Sequence, residues 1–230
     1  MKKFQFTLPL LLLSVFLCQA QAPVKFYENG KCGYKSAQGS VIIPARYFAG
    51  SDFSEGYAIV MDGSKRGYIN EKGETTIPCQ FDDATLFKNG IACVAKGMNY
   101  GFIDFKGNYI LPLQYEFADA FYQGLARVKQ NGKFGFIDIH GNFVVPCTYA
   151  EAGNFSQSLA AVKLNNKWGY LNLQGILSIP LQYGSASSFQ NGEAHVLQGK
   201  ENIIINTHGK FLKEDPIDEE EKRERGERKN

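Results

Sequence analysis

The chain is short of the residues from which compact catalytic and metal centres are built. Its 230 residues include five cysteines, three histidines and one tryptophan. No CxxC pair and no closely spaced pair of histidines occurs, so a tetrahedral metal site has no ligand spacing to start from. Neither a Gly-x-Ser-x-Gly elbow nor a glycine-rich phosphate loop is present, which removes the local signatures of a serine nucleophile and of nucleotide binding. No cofactor and no metal is therefore expected. Charge of one sign is lacking too. Lys and Arg number 25 against 23 Asp and Glu, and the basic side chains are scattered rather than gathered into a stripe, which argues against a nucleic-acid partner.

Long hydrophobic runs are confined to the beginning. Lys2 and Lys3 precede an apolar stretch at 8–17, broken only by Pro9 and Ser14, and small residues follow at Cys18, Ala20 and Ala22. That order reads as an export signal over residues 1–20, cleaved after Ala20, and the stretch is too short to span a bilayer. A lipid-modified cysteine needs a small residue before it; Phe16 and Leu17 precede Cys18, so lipid anchoring is not expected. Loss of the leader leaves a formally neutral chain without a transmembrane segment, placed in the periplasm or at the cell surface. Such a compartment permits disulfides. Cys79 and Cys147, however, share one repeat phase two units apart, beyond the Cα separation of about 7 Å that a disulfide tolerates.

What the chain has in abundance is repetition. Residues 131–164 and 97–130 are one unit written twice, and steps of 34 residues recover it at 29–62, 63–96 and 165–198, with a broken copy from 199. A period of this length signals a repeat architecture. Each unit carries three strand signals. In the first, small apolar residues alternate, as at Ala126 and Val128 or Ala160 and Val162, with the period of a half-buried strand. A short turn leads to a second strand ending in Asn70, Asp104, Asp138, Asn172 or Asn206, with Gly73, Gly107, Gly141, Gly175 or Gly209 three residues on. Asp or Asn opening a turn that Gly closes is type I turn chemistry followed by a left-handed position. An apolar third strand then runs to Pro44, Pro78, Pro112, Pro146 or Pro180, where the missing donor is expected to end it. After the proline comes a crossover with aromatics at Tyr47, Phe81, Tyr115, Tyr149 and Tyr183, then at Phe53, Phe87, Phe121, Phe155 and Phe189. The Phe column is expected to form the core between units, each ring contributing roughly 1.5–3 kcal/mol on burial.

The count is six whole modules over residues 24–213, an all-β array of three-stranded antiparallel units. It runs as an open β-solenoid or closes into a propeller-like ring; closed rings often share strands between first and last modules, so the two whole ends favour the open form. Residues 214–230 have no aromatic and are mostly charged, a composition that cannot bury enough surface to order itself.

The run Lys167-Trp168-Gly169-Tyr170-Leu171-Asn172, with Gly175 and Ile179-Pro180 after it, resembles the signature of the WG (KWG) repeat family. The resemblance covers roughly residues 24–212. It implies a β-rich repeat of exported and surface proteins and supplies no active site. The Trp that names the family occurs once; Cys32, Arg66, Tyr100 and Phe134 hold its place elsewhere, and the sixth copy has Ile203-Ile204 for Gly and aromatic and Glu214 for Pro.

Asp104 and Asp138 could be the paired acids of a glycoside hydrolase, but their phase makes them turn openers. His140 and His208 sit in matching turns and His195 in a first strand, so the three do not converge on a metal. The variable slot before the repeated Gly, occupied by Arg66, Tyr100, Phe134 and Trp168, is the candidate binding column: exposed, it would offer rings for stacking a sugar or an extended peptide; buried, it would pack between units. The expected function is a noncatalytic binding or scaffolding module, monomeric, acting on a protein or glycan of the cell envelope. A hydrolase of cell-surface polymers and a purely structural envelope protein are the alternatives.

Overall fold

The computed structural model describes residues 21–215, so the leader at 1–20 and the 214–230 tail beyond Asp215 lie outside the described residues, whereas Glu214 closes the last strand and Asp215 is buried. All regular structure within them is β, in six antiparallel sheets. Module 1 is Val24–Glu28, Lys31–Lys35 and Val41–Tyr47, and module 6 is Glu193–Gln198, Glu201–Asn206 and Phe211–Glu214. The four between them add a two-residue strand ahead of the first: Ala49–Gly50, Asp83–Ala84, Phe117–Ala118 and Glu151–Ala152. In module 4, for example, Phe117–Ala118 is followed by Ala126–Gln130, Lys133–Ile137 and Phe143–Tyr149. The short strand pairs with the first strand, the first with the second, and the second with the third.

The proline does not end the third strand. Val41–Tyr47 and its four equivalents run through Pro44, Pro78, Pro112, Pro146 and Pro180. Each lies on the edge strand of its sheet, where a missing N–H removes no ladder bond, and each sits in a bulge. Arg66 pairs with Phe81 and Tyr68 with Ile77, so the proline-bearing strand carries extra residues opposite Gly67. That bulge presses the two backbones together. A Cβ on Gly67 would stand 2.5 Å from the Ile77 carbonyl oxygen and 2.6 Å from the Cys79 nitrogen. The repeated Gly is therefore fixed by close backbone approach.

The second repeated glycine has a different cause. Gly73 adopts φ +82°, the left-handed value the turn requires, and a side chain there would also meet Ile43 of the preceding module at 2.9 Å. Gly141 against Leu111 repeats the arrangement at 2.7 Å. The turn opener acts through its side chain: Asp138 Oδ1 accepts the backbone N–H groups of His140 and Asn142, and Asn172 Oδ1 those of Gln174 and Ile176.

Five apolar cores join the six modules. Between modules 3 and 4 the core holds Phe102, Leu111, Tyr115, Phe121, Ala126 and Val128. Phe87, Phe121, Phe155 and Phe189 are all buried, as the crossover column predicts, while Phe53 is half-buried. The buried tyrosines Tyr34, Tyr68 and Tyr170 donate their hydroxyls to the carbonyls of Ser51, Thr85 and Ser187 in the next module at 2.7–2.9 Å, satisfying the one polar group each carries into the core. Among the described residues no sixth core joins module 6 to module 1. Val24 is 48% exposed where the other five modules place a fully buried alanine, so among the described residues nothing covers the leading face of the array. All four cysteines in the described residues are unpaired, Cys79 and Cys147 included.

Candidate functional site

Arg66, Tyr100, Phe134 and Trp168 all stand at the second residue of their second strands, and all four are half-buried. From that position Arg66 and Tyr100 reach across the module boundary to the short strand of the next sheet, Phe134 meets the short strand of its own sheet, and Trp168 faces module 6, which has no short strand. The Arg66 guanidinium bonds the Asp82 carbonyl and pairs with Asp83 at 2.9 Å. Tyr100 lies 5.5 Å from the ring of Phe117, and Phe117 lies edge-on to Phe134 at 6.1 Å. Trp168 packs against the core between modules 5 and 6, with Lys163 over its ring at 5.7 Å. The column is thus one geometric position with two outcomes.

The first outcome is an open cleft between successive short strands. Between modules 2 and 3 the cleft is lined by Ala49, Gly50, Ser51, Ile59, Met61, Arg66 and Ala84. One repeat later the equivalent cleft has Asp83, Ala84 and Thr85 on one side, Cys93 and Ala95 on the floor, Tyr100 as a wall, and Phe117, Ala118 and Asp119 opposite. Ala84 belongs to both. Burial, with the nearby Asp83, Cys93 and Asp119 adding to it, pushes the Tyr100 phenol up, so it stays protonated and able to donate. Among the described residues its hydroxyl has no hydrogen-bond partner.

The second outcome is a plug. At the boundary of modules 4 and 5 the floor position that holds Ile59 and Cys93 elsewhere is Arg127. Its guanidinium bonds Asp119 through Nε at 2.8 Å and Nη2 at 2.7 Å and reaches the Ala152 carbonyl of the next module. It lies 5.1 Å from the Phe117 ring centre and 5.5 Å from that of Phe134, and Lys129 stands 5.3 Å from Phe134 as well. Phe134 is therefore engaged by cations where Tyr100 borders open space. Arg127, Phe117, Asp119 and Ala84 complete the site, and the repeat register held a signal for two of them: Arg127 is the one arginine in its phase and Phe117 the one aromatic in its own.

The residues considered for chemistry are otherwise occupied. Asp104 and Asp138 serve as turn openers. For Asp104 burial is the largest single influence and raises the pKa, but hydrogen bonds from Asn108 and Lys106 together outweigh it and hold the carboxyl below its ordinary range. For Asp138 the Asn142 side chain leads, with backbone N–H donors adding to it. His140 and His208 lie in their turns, while His195 Nδ1 meets the buried Asp215 at 2.5 Å. Among the described residues no cluster of three metal-ligating side chains forms, and no helix is long and apolar enough to cross a membrane.

The sequence matches the WG-containing repeat at residues 33–65, 67–97, 100–134, 134–168 and 168–200. No curated protein matches it. In fold it is similar to Hsv2 of Kluyveromyces lactis, at 10% identity and a TM-score of 0.50 over 82% of this chain and 72% of that one. A eukaryotic initiation factor aligns at 10% identity and a TM-score of 0.51, over 83% of this chain and 62% of its own. A form of Hsv2 with loop 6CD replaced by a Gly-Ser linker aligns at 11% identity and a TM-score of 0.44, over 70% and 64%. The chain spans less than two thirds of the length of the latter two. At these identities the likeness is one of fold, a β-repeat architecture of the propeller kind.

Proposed function

The chain belongs to the WG-containing repeat family, and from that premise we propose that it is a noncatalytic binding or scaffolding module exported to the cell envelope. The single observation that carries the reading is the pair of adjacent open clefts bordered by Arg66 and Tyr100. Rigid sheets on either side hold their walls, so a ligand meets a preformed surface and ordering it costs little. The apolar leader read from the sequence supports export, and the absorption of Asp104 and Asp138 into turns supports a noncatalytic role. The partner is a protein or glycan of the envelope, bound by a monomer.

The test is capture of isolated envelope components, proteins and glycans identified separately, by the wild-type chain and by Arg66→Ala/Tyr100→Ala. A partner held by the first and lost by the second, with thermal stability unchanged, is the expected result. Equal capture by both overturns the cleft assignment. A hydrolytic activity on envelope polymers that disappears in Asp104→Asn/Asp138→Asn overturns the noncatalytic reading, and retention of the full-length chain in the cytoplasm overturns export.

A further inference from the structure

Resting on that reading of the clefts, we infer that their ligand is an uncharged polypeptide segment in a polyproline II conformation, with apolar side chains three residues apart, one in each cleft. Three observations lead there. The first is that most of the polar groups lining the clefts are already engaged within the protein. Ser51 Oγ accepts the Ile59 N–H and donates to the Asp52 carbonyl. Thr85 Oγ1 accepts from Cys93 N and donates to its carbonyl. Asp83 is taken by Arg66 and the Ala84 N–H, and Asp119 by Arg127. A sugar needs several donors and acceptors for its hydroxyls, and each unpaired polar group on binding carries a desolvation penalty. What the clefts offer beyond the Tyr100 hydroxyl and the second oxygens of the ion-paired Asp83 and Asp119 is apolar surface: Ile59, Met61, Ala49 and Ala84 in one, Cys93, Ala95, Ala118 and the Phe117 ring in the other. The internal pairing of Arg66 with Asp83 and of Arg127 with Asp119 leaves lining charges that are self-neutralised, whose complement is an uncharged chain.

The second observation is spacing. The rings of Tyr100 and Phe134, one module apart, each lie within 6.1 Å of the Phe117 ring, which caps the step at this column near 12 Å, in keeping with the ~10 Å between packed sheets. A polyproline II helix returns a side chain to the same side every three residues, about 9 Å along its axis. An extended strand offers about 7 Å, short of the spacing of packed sheets, or about 13 Å, beyond that cap, so the threefold helix is the nearest match. The third observation is the free Tyr100 hydroxyl, placed beside the ridge at Ala84 that the ligand must cross. A polyproline II chain has no internal hydrogen bonds, and its carbonyls are open to such a donor.

The experiment is fluorescence anisotropy with fluorescein-labelled, uncharged, proline-rich nonapeptides carrying Leu and Val two, three or four positions apart. Binding is expected to be tightest at a spacing of three, by about tenfold over the others, because each mismatched peptide leaves one apolar side chain in water. Ala84→Trp, which fills both clefts, should weaken it at least tenfold, Tyr100→Phe by about threefold through the lost donor, and Phe143→Ser, an exposed site elsewhere in the array, not at all. Met61→Glu replaces Ala84→Trp should the latter fail to fold. Absence of binding, or binding indifferent to spacing, overturns the inference. A soluble neutral β-glucan that binds and is lost in Ala84→Trp, with the peptides inert, overturns the peptide class and leaves the cleft as a binding site. Insensitivity of both probes and of envelope capture to Ala84→Trp removes the cleft reading itself.

Discussion

The boundary between modules 3 and 4 and the boundary between modules 4 and 5 are assembled from the same parts. Each has a proline bulge pressed onto a glycine, a buried Phe from the crossover, and an aromatic column residue at the second position of its second strand. They differ in the column residue, in the short strands on either side, Asp83 and Phe117 at the first and Phe117 and Glu151 at the second, and above all in the floor residue. Cys93 is short and leaves a cleft beside Tyr100, whereas Arg127 extends across the boundary, ties Asp119 to Ala152 and stands against Phe134. The difference teaches that the column cannot be read alone: an aromatic there is wall or packing according to the floor beneath it.

The largest effect should come from breaking what the two boundaries share. Gly135→Val drives a side chain into the Val145 carbonyl, with Cys147 N at 2.7 Å from the first carbon. It should cost about 4 kcal/mol or more, or prevent folding. At the equivalent position of module 6, where Ile203 and Glu214 replace the glycine and the proline, Ile203→Val should cost only about 1 kcal/mol. Urea midpoints check both. Next in size is Arg127→Ala, which strips the partners from Asp119 and from the Ala152 carbonyl. A loss of about 2 kcal/mol is expected, together with peptide binding at a third position. Tyr170→Phe leaves the Ser187 carbonyl without its donor and should cost about 1 kcal/mol, with the chain still folded.

The smallest effect distinguishes turns opened by Asp from those opened by Asn. Asp104 and Asp138 are held below the ordinary carboxylate range, so the unfolded chain takes up protons first as pH falls. Their contribution is whole above the unfolded value near 3.9 and disappears as pH falls through the depressed folded values. Asp104→Asn/Asp138→Asn, copying the Asn70 and Asn172 turns of modules 2 and 5, should flatten the drop in urea midpoint between pH 5 and pH 2.5.

The scaffold was legible in the chain because each of its parts is local and repeated. Asp138 and Gly141 announce a turn from three residues' distance, and Phe121 and Phe155 keep one phase. Pro146 misled, since proline ends strands in a sheet interior but is accepted on an edge in a bulge. That tolerance depends on Gly135 across the ladder, a pairing visible only with the register in hand. The column was found by its variability, yet which of its members border open space was not legible. That depends on Arg127, whose influence on Phe134 is exerted across a strand pair and a module boundary.

The scarcity of tryptophan allows a direct test. With Trp168→Phe as the parent, Tyr100→Trp and Phe134→Trp each place the chain's one indole at a single boundary, and acrylamide quenching reports its exposure. Markedly stronger quenching is expected at position 100 than at 134, with Arg127→Ala raising the latter toward the former. Equal quenching at the two positions, or no response to Arg127→Ala, would contradict that expectation.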